Sequence, residues 1–127
     1  MAKVLIVEPE KRIRDMYEDL TINAGFDVTS VEKTRDALSF IYKEYPSVII
    51  ISGEGHEIVD VIKTVRGAKD LKVATIPIVV ILEDISNDSK NYLQAGANKC
   101  LTKFPESGGK LVEEIRKVSV QGLLKKP

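Results

Sequence analysis

A single cysteine, Cys100, stands in 127 residues, which excludes an intramolecular disulfide and any multi-cysteine metal site. Net charge is missing as well, since nineteen basic residues cancel nineteen acidic ones. That balance argues against the strongly basic surface that holds nucleic acid. Long apolar runs are absent too. The first, Val4-Leu5-Ile6-Val7, is too short for the core of a signal peptide, and none approaches a membrane span. A cytoplasmic domain that engages neither membrane nor nucleic acid is the expectation.

What is present is enough to fold. With 43% hydrophobic and 30% charged residues the chain has the balance of an ordinary globular domain rather than a disordered one. Its length fits one domain. We expect that domain over residues 1–121, with 122–127 as a tail or the start of a linker.

Three runs, Val4–Val7, Val48–Ile51 and Ile78–Leu82, are short, β-branched and continuous. Strands of this kind are buried on both faces, as in a parallel sheet. Phe26–Val31 alternates more and suits an edge strand, and Lys99–Thr102 is a weaker candidate for a last one. Between them lie amphipathic helical patterns. The first presents Ile13, Met16, Tyr17, Leu20 and Ala24, and Gly25 follows where a C-terminal cap would sit. The second starts with Thr34 as N-cap, presents Ala37, Leu38 and Ile41, and ends before Pro46. A third carries Ile58, Val59, Ile62 and Val65 and stops at Gly67, and a fourth runs from about Ser86 to Ala95 with Gly96 closing it. The fifth holds Leu111, Val112, Ile115 and Val118. Ala68–Ile76 reads as the longest loop. Strands alternating with helices build an α/β sandwich, a parallel sheet covered on both faces.

Ligands of such sheets gather at the carboxyl ends of the strands. Here those ends are Glu8, Ser52, Leu82 and Lys103, with Glu10, Glu54, Glu83 and Asp84 just beyond. Ser52 does not sit in a nucleophile elbow, because Ile50 occupies the first glycine position. His56 is expected simply at a helix start, since Glu54 and Glu57 beside it make a poor metal set. Cys100 reads as a small apolar filler. Gly108-Gly109-Lys110 is not a phosphate loop, because Leu111 stands where Ser or Thr is needed and Phe104 where the first glycine belongs.

Five segments in order, KVLIVEPE, AGFDV, YPSVIIIS, IPIVVIL and QAGANKCLTKFP, resemble the receiver domains of two-component response regulators, and together they span nearly the whole chain. The resemblance implies a flavodoxin-like, CheY-like (βα)5 sandwich of strand order 2-1-3-4-5. It also implies where the family's phosphorylation chemistry would sit. The two magnesium-holding acids correspond to Glu8 and Pro9, and a proline side chain offers no ligand. The phosphate-accepting aspartate corresponds to Ser52, and an acyl phosphate needs a carboxylate. The hydroxyl that clamps the phosphoryl group corresponds to Leu82, and the aromatic switch to Cys100. Lys103 alone matches, although Phe104 intervenes before Pro105.

We therefore expect a pseudo-receiver: a phosphorelay-type signalling domain that is not phosphorylated on aspartate, has no enzymatic activity and needs no cofactor or metal. Two alternatives stay open. One is a regulator with a displaced magnesium and phosphoryl site built from Glu8, Glu10 or Glu54, Glu8 and Glu10 being the residues for residual cation binding. The other is a small-ligand sensor using the vacated pocket, although VEPEKR stands where a nucleotide binder would carry a glycine-rich loop. By the resemblance, a protein partner or a weak homodimer would meet the region Tyr92–Lys103 and the fifth helix.

Overall fold

The computed structural model describes residues 2–53, 55–83, 88–102 and 111–118, the side chain of Asp88 excepted. In chain order these form β1 (Lys3–Val7), α1 (Lys11–Asn23), β2 (Asp27–Val31), α2 (Thr34–Glu44) and β3 (Val48–Ser52). Then come α3 (His56–Arg66), α4 (Leu71–Ala74), β4 (Ile78–Leu82), α5 (Asp88–Ala95) and β5 (Lys99–Thr102). A last helix, α6, covers residues 111–118. The strands pair in the order β2-β1-β3-β4-β5, all parallel. The expected α/β fold and strand order are what the structure shows.

Side chains alternate across the pleat, so each central strand feeds two cores. Leu5, Val7, Ile49, Ile51, Ile78, Val80 and Leu82 pack with Ala37, Ile41, Ile62 and Tyr92 from α2, α3 and α5. Val4, Ile6, Val48, Ile50, Val79 and Ile81 face the other way, onto Tyr17 of α1 and Leu111, Ile115 and Val118 of α6. Every residue of β3 and β4 is buried. Two covered faces explain why these strands read as unbroken apolar runs. Each fully buried Val, Leu or Ile contributes about 1.5–3 kcal/mol.

The structure corrects the sequence reading at three places. Residues 68–76 are not simply a loop: Asp70 Oδ1 accepts the Lys72 N–H at 2.9 Å and starts α4, which buries Val73. Thr34 lies inside α2. Its cap position is Lys33, without a side-chain cap, and the Lys33 carbonyl accepts the Asp36 and Ala37 amides. Met16 is exposed, and Thr21 is buried in its stead with its hydroxyl bonded to the Tyr17 carbonyl at 2.7 Å. That bond satisfies the hydroxyl within the helix, so a polar residue can face the sheet.

Arg66, at the end of α3, ties the far end of the sheet together. Its guanidinium donates to the carbonyls of Gly96 (2.9 Å), Ala74 (3.0 Å) and Ile76 (2.7 Å), and to Asn98 Oδ1 (2.8 Å). Asn98 Oδ1 also accepts the Ile78 N–H at 2.8 Å. One fork thus joins α3, the α4–β4 connection and the turn between α5 and β5. Burial lowers the Arg66 pKa, but a guanidinium keeps its charge in proteins. Gly96 sits at φ +124°, and a Cβ there would lie 2.7 Å from Arg66 Cγ.

Arg66→Met should therefore lower unfolding stability in urea by about 1–3 kcal/mol, because several part-buried acceptors lose a charged donor together. Gly96→Ala should cost at least about 1 kcal/mol through strain and that overlap. Midpoints within error of the parent would show that the fork is not structural.

Candidate functional site

The carboxyl end of the sheet is set by register. Val7 pairs with Ile51, so the next residues on the two strands, Glu8 and Ser52, fall side by side. They also share a side of the pleat, continuing the rows Val4-Ile6 and Val48-Ile50. Both are buried, Glu8 at 2% and Ser52 at 3% exposure. A buried carboxylate is costly unless hydrogen-bonded. Ser52 Oγ donates to Glu8 Oε1 at 2.7 Å, and the Glu10 N–H donates to Glu8 Oε2 at 2.9 Å. Each carboxylate oxygen thus has a donor.

The turn after β1 is latched from α1. Arg14 donates to the Glu8 carbonyl at 2.8 Å and to the Pro9 carbonyl at 3.4 Å, while the Glu8 N–H continues the ladder to Val31. Pro9 and Glu10 are exposed, and the Glu10 side chain makes no cap bond to α1. So the structure brings Glu8 and Ser52 together and leaves the Glu10 carboxylate outside the pocket.

Leu82 takes the opposite side of the pleat and is 2% exposed among the residues packed on α2, α3 and α5. Cys100 is half-buried, and its thiol lies 3.7 Å from the Ser89 carbonyl of α5. Burial raises its pKa, which disfavours the reactive thiolate. His56 is exposed as the first residue of α3. Lys103, Glu54, Asp84, Phe104, Pro105 and Gly108-Gly109-Lys110 lie outside the described residues.

Two features were not read from the sequence. Tyr92 is buried at 3% exposure, and its hydroxyl accepts the Gly55 N–H at 3.3 Å. That bond links the loop after β3 to α5. The second is a groove of about 640 Å³ between α2 and α3, with Ser52, Pro9 and Gly53 at one end and Lys33, Arg35, Glu57 and Asp60 along its sides. Leu38, Ile58 and Val61 form its apolar part. The sequence around Tyr92 carries no mark of the contact, because its partner is a backbone amide.

Magnesium fits these residues poorly. It requires near-octahedral oxygen ligands, yet Pro9 supplies none and Glu8 is already bonded through both oxygens. Among the described residues no three His, Cys, Asp or Glu side chains are grouped to hold a metal ion.

Ser52→Ala would take one donor from a buried carboxylate. It should lower stability by about 1–3 kcal/mol, while Ser52→Thr, which keeps the hydroxyl, should recover most of the loss. Chemical denaturation of the three proteins measures this; equal stability of the alanine variant would contradict the pairing.

No protein-family model matches the chain. Solved structures do. The chemotaxis response regulator CheY4 of Vibrio cholerae superposes with a TM-score of 0.82 at 26% identity, over 93% of this chain and 98% of that one. A response regulator of Chloroflexus aurantiacus gives 0.83 at 28% identity, over 94% and 98%. A CheY-like receiver domain protein of Methanospirillum hungatei gives 0.86 over 99% of both chains at 16% identity, a likeness of fold. The architecture is that of CheY-like response regulator receiver domains.

Proposed function

We propose that the chain is a receiver-like module of two-component signalling that carries no aspartyl phosphate and acts by protein–protein contact. One observation carries this reading: the acceptor position holds a buried serine whose hydroxyl is bonded to Glu8. Acyl phosphate chemistry needs a carboxylate at that point. Pro9 and Leu82, at the positions of the second acid and the clamping hydroxyl, supply neither metal ligand nor phosphate donor.

The partner surface in this proposal is the face of α5, β5 and α6, which would also serve a weak homodimer. Leu93 supports it, being 46% exposed on α5 while Tyr92 beside it points inward. Lys99 on β5 pairs with Glu114 of α6 at 3.1 Å, which makes β5 and α6 one surface. No metal, cofactor or catalytic step is part of the mechanism. The parent fold is used as a shape, with its two covered cores holding the face rigid.

The test is incubation with acetyl phosphate and magnesium, followed by intact-mass measurement. No added phosphoryl group is expected, with or without magnesium. A phosphoryl group labile to hydroxylamine, and lost in Glu8→Gln, would overturn the proposal in favour of a displaced site.

A further inference from the structure

At the opposite end of the sheet, where α2 and α4 lead into β3 and β4, the structure exposes apolar surface. Tyr42 and Tyr45 are each 45% exposed and Leu71 is 74% exposed. They come from the last turn of α2, its C-cap and the first residue of α4. Lys72 joins the two elements, its ammonium 5.9 Å from the centre of the Tyr45 ring. Scattered single apolar residues are ordinary on a surface. Here the Lys72–Tyr45 contact sets the end of α2 beside the start of α4, and apolar side chains exposed on adjoining elements are less so.

Tyr45 has a further peculiarity. It caps α2 in the left-handed region, at φ 50° and ψ 65°, and among the described residues it is the non-glycine at positive φ. Glycine or asparagine suits that position better. Its ring and hydroxyl meet Lys72 and Asp70 beside α4, and strained residues tend to cluster at functional surfaces.

The charge around the patch has one sign left over. Lys43, Lys69 and Lys72 are exposed, and among the described residues none of their ammonium groups is paired with a carboxylate. Of the acids nearby, Glu44 pairs with Lys3 at 3.1 Å while Asp70 keeps its charge, so the three ammonium groups outnumber the one carboxylate without an ion pair. Asp70 also raises the Tyr45 phenol pKa, through hydrogen bonding and charge, so the hydroxyl stays protonated as a donor.

We propose that this patch docks an acidic segment of another protein, with an apolar side chain of that segment seated against Tyr42, Tyr45 and Leu71. Tyrosine-centred contacts with a charged rim are the usual composition of a protein interface. Three ammonium groups on a surface that also holds Glu44 and Asp70 suit a protein carboxylate better than a lipid sheet. This surface is separate from the α5–β5–α6 face and does not depend on the function proposed for it.

The experiment is an amide NMR titration of the intact chain with synthetic peptides. One is rich in Glu and Leu, a second has Lys in place of Glu, and a third has Leu replaced by Ser. The Glu/Leu peptide should shift the amides of Tyr42, Tyr45, Leu71 and Lys72 saturably, and the other two should not. Tyr45→Asn, which suits the left-handed cap but gives up the contacts with Lys72 and Asp70, should keep a cooperative thermal transition yet weaken binding at least tenfold. Leu71→Ser and a Lys43→Glu, Lys69→Glu, Lys72→Glu triple variant should weaken it as well. The proposal is overturned by absent or scattered shifts, by equal binding of the Lys peptide, or by unimpaired binding of Tyr45→Asn. Shifts of the same amides with phosphatidylserine vesicles but not with the peptide would assign the patch to a membrane. Shifts that depend on protein concentration alone would assign it to a second copy.

Discussion

The pairing of Val7 with Ile51 brings the residues that follow them, Glu8 and Ser52, into contact at the sheet's carboxyl edge. Both are inside the protein, so their chemistry has to close on itself. A buried carboxylate without donors would be expensive, and the serine hydroxyl with the Glu10 amide meets that need. Had Ser52 been an aspartate, two carboxylates would meet at this spot. Such a pair requires a proton or a cation to coexist. With serine a single carboxylate stands at the edge with a donor on each oxygen, and Arg14 holds the adjoining turn in place.

The same alternation that pairs Glu8 with Ser52 turns Leu82 away from them. It faces the core shared by α2, α3 and α5, where an apolar side chain fits and a hydroxyl would need a partner. Glu8, Ser52 and Leu82 are thus each accommodated by contacts within the fold. Toward α5, the Gly55 N–H donates to the Tyr92 hydroxyl, and the thiol of Cys100 lies against the same helix. At the other end of the sheet Arg66 binds three carbonyls and Asn98, so the two ends are held by different devices.

Much of this was legible in the amino-acid sequence. Strands buried on two faces leave uninterrupted Val and Ile runs, and β1, β3 and β4 stand where those runs fall. The helices with strong apolar stripes were equally visible. The misses have local causes. Four residues, Leu71–Ala74, are too few to show a helical period, although Asp70 ahead of Val73 and Ile76 was a usable cap signal. Thr34 has the chemistry of a cap, but the extended chain at Lys33 starts the helix a residue earlier. At the candidate site, Glu8, Ser52 and Leu82 were placed as strand ends by the parallel-sheet pattern, and Pro9 and Cys100 came from resemblance, while the bond between Glu8 and Ser52 came from neither. Strand register is a property of the folded sheet, and no motif in the chain announces it.

The central claim is that the edge formed by Glu8 and Ser52 is complete without metal or phosphate. Its most direct test is a residue-resolved amide titration with magnesium and then with magnesium plus beryllofluoride, a mimic of the acyl phosphate. The account predicts that the amides of Glu8, Glu10, Ser52 and Gly53 hold their positions through both additions, and that Cys100 and α5 do so too. A saturable shift at the strand ends that spreads to Cys100 and Tyr92 would contradict it, and would show a working switch in a site without its aspartate.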